Sequence, residues 1–132
     1  MATQNDFTRS FQVNAAMSAG LRVAVSSNGK IGLAGASDPG VGVLQEACTA
    51  NSYENPKVRF WGTGSVAVIG TGAPATAGNL VFAVVTGQIA PTQASTPQWV
   101  VGRLLESYTV NGSKVEIVPI GAAPFSTANL LQ

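Results

Sequence analysis

The sequence predicts an all-β fold, a small β-barrel or sandwich built from two similar halves with extended N- and C-terminal arms. Three observations predict it. Short alternating or β-branched runs recur between Gly, Asn and Pro punctuation. No stretch carries a 3.6-residue apolar period, because glycines interrupt nearly every candidate helix. The chain also matches itself at a fixed offset.

That offset is 58 residues: Ala19 to Pro39 set against Ala77 to Pro97 gives 8 identities in 21 ungapped positions. The pairs are Ala19/Ala77, Gly20/Gly78, Val23/Val81, Gly29/Gly87, Ile31/Ile89, Ala36/Ala94, Ser37/Ser95 and Pro39/Pro97. The register then slips by two, and Gly42-Val43-Leu44-Gln45-Glu46 lies over Gly102-Arg103-Leu104-Leu105-Glu106. At 132 residues the chain is one domain's worth of core, so the repeats are halves of a domain. The expected division is an arm over 1–12, a first half over 13–69, a second half over 70–118 and a tail over 119–132.

Each half reads as strand, turn, strand, loop, strand. Leu21 to Val25 is β-branched and alternating, as a half-buried strand should be. Asn28-Gly29 is a hairpin turn pair that tolerates positive φ, and Lys30 to Leu33 returns. Val41 to Glu46 follows after a Gly/Ala/Ser/Asp/Pro loop. The second half repeats this with Leu80 to Val85, the turn Thr86-Gly87 and Trp99 to Glu106. Each half is expected to add a hairpin: Lys57–Trp61 with Ser65–Ile69, and Glu106–Val110 with Ser113–Val118. In the last strand Val115 and Ile117 oppose Lys114 and Glu116, the pattern of a sheet with one wet face.

Composition excludes several functions. Lys plus Arg is 7 and Asp plus Glu is 6, with the basic residues scattered singly, so no phosphate-binding stripe exists and nucleic acid is not an expected partner. No apolar run reaches the roughly 20 residues of a membrane helix, and residues 1–7 do not read as a secretory signal. The chain has no histidine, which removes Ser-His-Asp and Cys-His chemistry. Its six carboxylates, Asp6, Asp38, Glu46, Glu54, Glu106 and Glu116, are dispersed, and no calcium loop is present. Cys48 is the single cysteine, so no internal disulfide forms. Glu46 and Glu106 occupy matching repeat positions, and two carboxylates so related could in principle serve a glycosidase, but strand-end glutamates are ordinary. No catalytic site, metal or cofactor is expected.

Charged residues are only 10% of the chain, so its surface does little to repel neighbours. Phe7 and Phe11 are large apolar groups in a polar N-terminal segment, and Phe125 with Leu130-Leu131 are the counterparts in the tail. Such arms dock onto their own barrel or a neighbour. The reading preferred here has partners ordering them, so that deleting residues 2–11 leaves the core's stability nearly unchanged. Trp61 and Trp99 are read as core or interface anchors. An alternative makes them the stacking platform of a carbohydrate-binding or adhesive module. Phe7, Phe11, Trp61 and Trp99 are thus the candidate interaction residues.

The runs Ala19–Val25, Asn28–Leu33 and Gly40–Ala47, followed by a Val-rich strand over Ser65–Ile69 and a second cycle ending in Lys114–Val118, carry a resemblance. Over roughly residues 12–118 the chain resembles the small capsid cement or decoration proteins of tailed bacteriophages. The resemblance implies a barrel-like fold without enzyme activity. It also implies attachment to the outside of an icosahedral shell through the major capsid protein, as a homo-oligomer, most often a trimer. The expected location is the virion's capsid surface, after synthesis in the host cytoplasm. Phage tail and fibre parts share the same pattern.

Overall fold

The computed structural model describes residues 8–50, 55–61, 65–92 and 99–119. Among these residues ten strands are formed: β1 (Thr8–Ser10), β2 (Arg22–Val25), β3 (Ile31–Leu33), β4 (Gly42–Leu44), β5 (Lys57–Phe60), β6 (Val66–Ile69), β7 (Leu80–Ala83), β8 (Ile89–Ala90), β9 (Val100–Leu104) and β10 (Lys114–Pro119). Among the described residues there is no helix. The all-β expectation holds.

The strands form two five-stranded antiparallel sheets, ordered β1-β5-β4-β2-β3 and β6-β10-β9-β7-β8. Adding five to each strand number converts the first order into the second. The registers agree as well: Val23 faces Gly42 and Leu44 faces Val58, while Val81 faces Gly102 and Leu104 faces Ile117. Turns repeat in detail. Ser26 N–H bonds Lys30 O and Gly29 N–H bonds Ser26 O, matched by Val84 N–H to Gln88 O and Gly87 N–H to Val84 O. Each hairpin is therefore a three-residue loop closed by a positive-φ glycine, Gly29 at 82° and Gly87 at 78°. The third residue gives the strands a bulged entry that a two-residue turn would not.

Each sheet curls over its own core. Val23, Ile31, Leu44 and Val58 line the first, with Phe11, Val13 and Met17 closing it. Val81, Ile89, Leu104 and Ile117 line the second, joined by Val66, Val68 and Tyr108. The alternation of β10 survives intact, with Val115 and Ile117 buried and Lys114, Glu116 and Val118 exposed.

Both expected hairpins are replaced by other pairings. β5 pairs with β1 and β4, whereas β6 pairs with β10, so the chain crosses from one sheet to the other between them. The boundary between halves thus falls between Phe60 and Val66, ahead of Ile69. Residues 106–110 are not a strand; β10 pairs with β9, and Tyr108 forms a single bridge to Ala75. Local turn signals place a reversal correctly but say nothing about which sheet the next strand joins.

Candidate interaction site

The most constrained group of polar contacts lies where the two halves meet, and it centres on Arg22. Position 22 begins β2, and its side chain points to the face that the second half covers. Arg22 is 0% exposed. Its guanidinium donates to five backbone carbonyls: Nε to Gln88 O (3.1 Å), Nη1 to Asp38 O (2.6 Å), and Nη2 to Val84 O (2.6 Å), Ala34 O (3.3 Å) and Gly35 O (3.3 Å). Three of those carbonyls belong to the loop after β3 and two to the β7–β8 turn. One side chain therefore holds both halves. A planar five-donor fork suits that task in a way a point charge does not.

Burial lowers the Arg22 pKa to about 10, the nearby Asp38 carboxylate opposing the shift, so the group is a buried cation at neutral pH. Gly87 completes the contact. Its carbonyl accepts the Arg22 N–H at 2.7 Å. A Cβ there would lie 3.0 Å from the Arg22 carbonyl, at a φ of +78° that side chains rarely adopt.

Both tryptophans flank this junction. Trp61, just beyond β5, is half-buried against the core of the second half, and its Nε1–H donates to Gly40 O (2.9 Å) and Pro39 O (3.3 Å). Trp99 packs on the same core; its carbonyl accepts the Ala83 N–H, and its own N–H reaches Ala36 O of the first half at 3.5 Å. Each ring thus spends part of its surface against the chain's own second core.

Phe11 lies in the first core, 9% exposed, edge-on to Phe60 at 6.0 Å between centroids. Arg9 covers it, its guanidinium carbon 5.0 Å from the ring centre. Residues 8–10 are the edge strand β1, so this part of the arm belongs to the chain's own sheet. Phe7 and the tail beyond Pro119 lie outside the described residues.

The matched carboxylates serve the backbone. Glu46 Oε2 accepts the Lys57 N–H (3.2 Å) at the start of β5, and Glu106 Oε2 accepts the Glu116 N–H (2.9 Å) within β10. They sit on different sheets and do the same structural job twice. Cys48 is buried, its Sγ 3.8 Å from Ala15 O, beside shallow depressions lined by Glu46, Asn55 and Pro56 on one side and Met17 and Leu33 on the other. Among the described residues no three His, Cys, Asp or Glu side chains gather in a way that could hold a metal ion.

No protein-family model matches the chain, and no curated protein does. A solved structure does: the head fibre gp8.5 N base of bacteriophage phi29, at a TM-score of 0.69 over 89% of this chain and 96% of that one. The chain has the fold of that fibre base. Sequence identity is 16%, so the likeness is one of architecture. Arg22 itself was not singled out by the sequence, where an arginine in an alternating strand reads as wet-face. The only available signal was its repeat partner Leu80, an apolar residue at the matching position.

Proposed function

We propose that this chain is a structural protein of a tailed-bacteriophage virion that decorates the outside of the head. The observation that carries the reading is the fold shared with a phage head-fibre base across nearly the whole of both chains. The weakly charged surface, with 10% charged residues, supports it, because such a surface does not repel a dense protein lattice. The proposed role is mechanical and not enzymatic: a protein that binds the assembled shell better than free subunits stabilises the shell by mass action. The proposed partners are the major capsid protein and further copies of the chain, as a trimer. Likeness to a fibre base favours one variant of this reading, in which the domain is the foot of a projecting part.

Incubating the purified chain with expanded, undecorated heads and sedimenting the particles tests the proposal. Saturable co-sedimentation, with density on the outer surface in a particle reconstruction, is the expected result. Failure to bind heads, together with glycan binding that Trp61→Ala or Trp99→Ala abolishes, would replace it with the adhesive-module reading.

A further inference from the structure

We infer that four side chains confine the joint between the two halves to a single chain, preventing copies from adding head to tail through it, and that Arg103 is the principal guard. The inference goes beyond the virion reading and does not need a capsid.

The joint is one-directional. The first half offers Gly20, Arg22 and Val43; the second receives them on β6 and on the β7–β8 turn. Gly20 O accepts the Ile69 N–H at 2.9 Å, and Arg22 N–H bonds Gly87 O at 2.7 Å. Val43 joins the second half's core beside Val66 and Val68. A Cβ on Gly20 would press on Ile69 Cγ1 at 2.9 Å and Lys114 Cε at 3.2 Å.

The reciprocal contact is not made. Gly78 repeats Gly20 with nearly the same φ, +91° against +93°, and Gly29 repeats Gly87, yet among the described residues a Cβ on either would meet nothing within 4 Å. Among the described residues, the second half therefore carries an uncovered copy of the offering surface, and the first half an uncovered copy of the receiving one. A head-to-tail contact of this kind repeats from molecule to molecule, as a ring or a filament, unless something stops it.

The registers identify what differs. Leu80 stands where Arg22 does and Arg103 where Val43 does, since Leu80 faces Arg103 as Arg22 faces Val43. On the receiving side Arg9 takes the place of Val66, each opposite the matched Val58 and Ile117. Gln12 takes the place of Ile69, each preceding the residue that bridges Ile31 or Ile89. The five-bond clasp is thus missing from the offering copy. Arg103 Nη1 donates to Gly78 O at 2.9 Å, occupying the carbonyl whose counterpart on Gly20 makes the joint. Arg9 lies on the receiving copy, so a head-to-tail contact would bring two cations together, a juxtaposition that suppresses wrong pairings.

The test rebuilds the joint and reads sedimentation velocity against concentration, with the wild type's own state as the baseline. A chain carrying Arg9→Val, Gln12→Ile, Leu80→Arg and Arg103→Val should form larger species as concentration rises. Chains carrying only Leu80→Arg/Arg103→Val or only Arg9→Val/Gln12→Ile should each sediment as the wild type and form a one-to-one complex when mixed, an arm that remains readable if the fourfold variant folds poorly. Half-rebuilt chains that fold by circular dichroism and do not combine would overturn the inference. So would a wild-type assembly that dissociates on Gln12→Arg or Ala77→Glu, both exposed positions, because copies would then already be meeting there.

Discussion

Replacing Arg22 by leucine, the residue its own repeat uses at position 80, should separate the two halves energetically. Hydrogen bonds to a charged group contribute about 1.5–3 kcal/mol each. The five made by Arg22 cannot simply be added, because taking a guanidinium out of water costs several kcal/mol. What decides the outcome is what leucine leaves behind: carbonyls on Ala34, Gly35, Asp38, Val84 and Gln88 with no donor. Most of these bonds are only partly buried, so water recovers some of them. A buried acceptor left without its donor costs about 1–3 kcal/mol, so with part of the five recovered by water the net loss should be about 3–5 kcal/mol. For a domain of this size that is a fall in Tm of roughly 10–15 °C.

The two tryptophans flank the junction, so their fluorescence reports its opening while far-UV circular dichroism reports the sheets. In wild type the two transitions should coincide; in Arg22→Leu fluorescence should change first. Arg22→Lys keeps the charge but replaces the planar fork with a point ammonium, and should lose most of the same stability. Coincident transitions and a Tm within about 3 °C of wild type for Arg22→Leu, equivalent to about 1 kcal/mol, would refute the clasp.

Phe11→Ala should cost about 3–5 kcal/mol, since the ring fills the first core; deleting residues 2–11 should accordingly lower the Tm, reversing the expectation for a partner-ordered arm. Gly42→Ala and Gly102→Ala should each destabilise by about 1–3 kcal/mol or more, because a Cβ would collide with the Arg59 carbonyl or the Val118 carbonyl of the neighbouring strand; equal losses in urea melts would show the repeat extends to strand spacing. Tyr108→Phe should cost about 1–2 kcal/mol by leaving Thr71 O without its 2.6 Å donor. Burial raises the Tyr108 pKa, so wild-type stability from this group is complete below pH 10.0 and lost as pH rises through the higher folded value; Tyr108→Phe should show no such loss. A Tyr108→Phe melt that tracks wild type from neutral to strongly alkaline pH would count against that account.

The duplication was legible because turns constrain residue identity more tightly than strands do. Gly29/Gly87 and Gly20/Gly78 match since both pairs need φ above +70°, and Gly42/Gly102 match since a neighbouring backbone passes over each. The slip of two residues between the halves sits in the loop ahead of β4 and β9, where added length costs little. Strand partnership was not legible. Lys57–Trp61 and Ser65–Ile69 are separated by Gly62-Thr63-Gly64 and read locally as a hairpin, yet the strands belong to different sheets. Nothing within ten residues encodes that; it follows from β10 arriving fifty residues later to claim β6.

The candidate site was legible only where apolar character revealed it. Trp61 and Trp99 read as anchors, and the structure places both against the second core. Arg22 reads as solvent-facing because a two-residue period assigns faces without saying which face another half will cover. Duplicating a strand duplicates its wet face, and joining the copies buries that face in one of them only. The buried copy must then either become apolar, as Val43 is where its counterpart is Arg103, or find donors and acceptors for whatever charge remains, as Arg22 does with five carbonyls. In a duplicated β-fold the informative positions are therefore the mismatched ones: a pair in which one copy is charged and the other apolar marks the face where the copies meet.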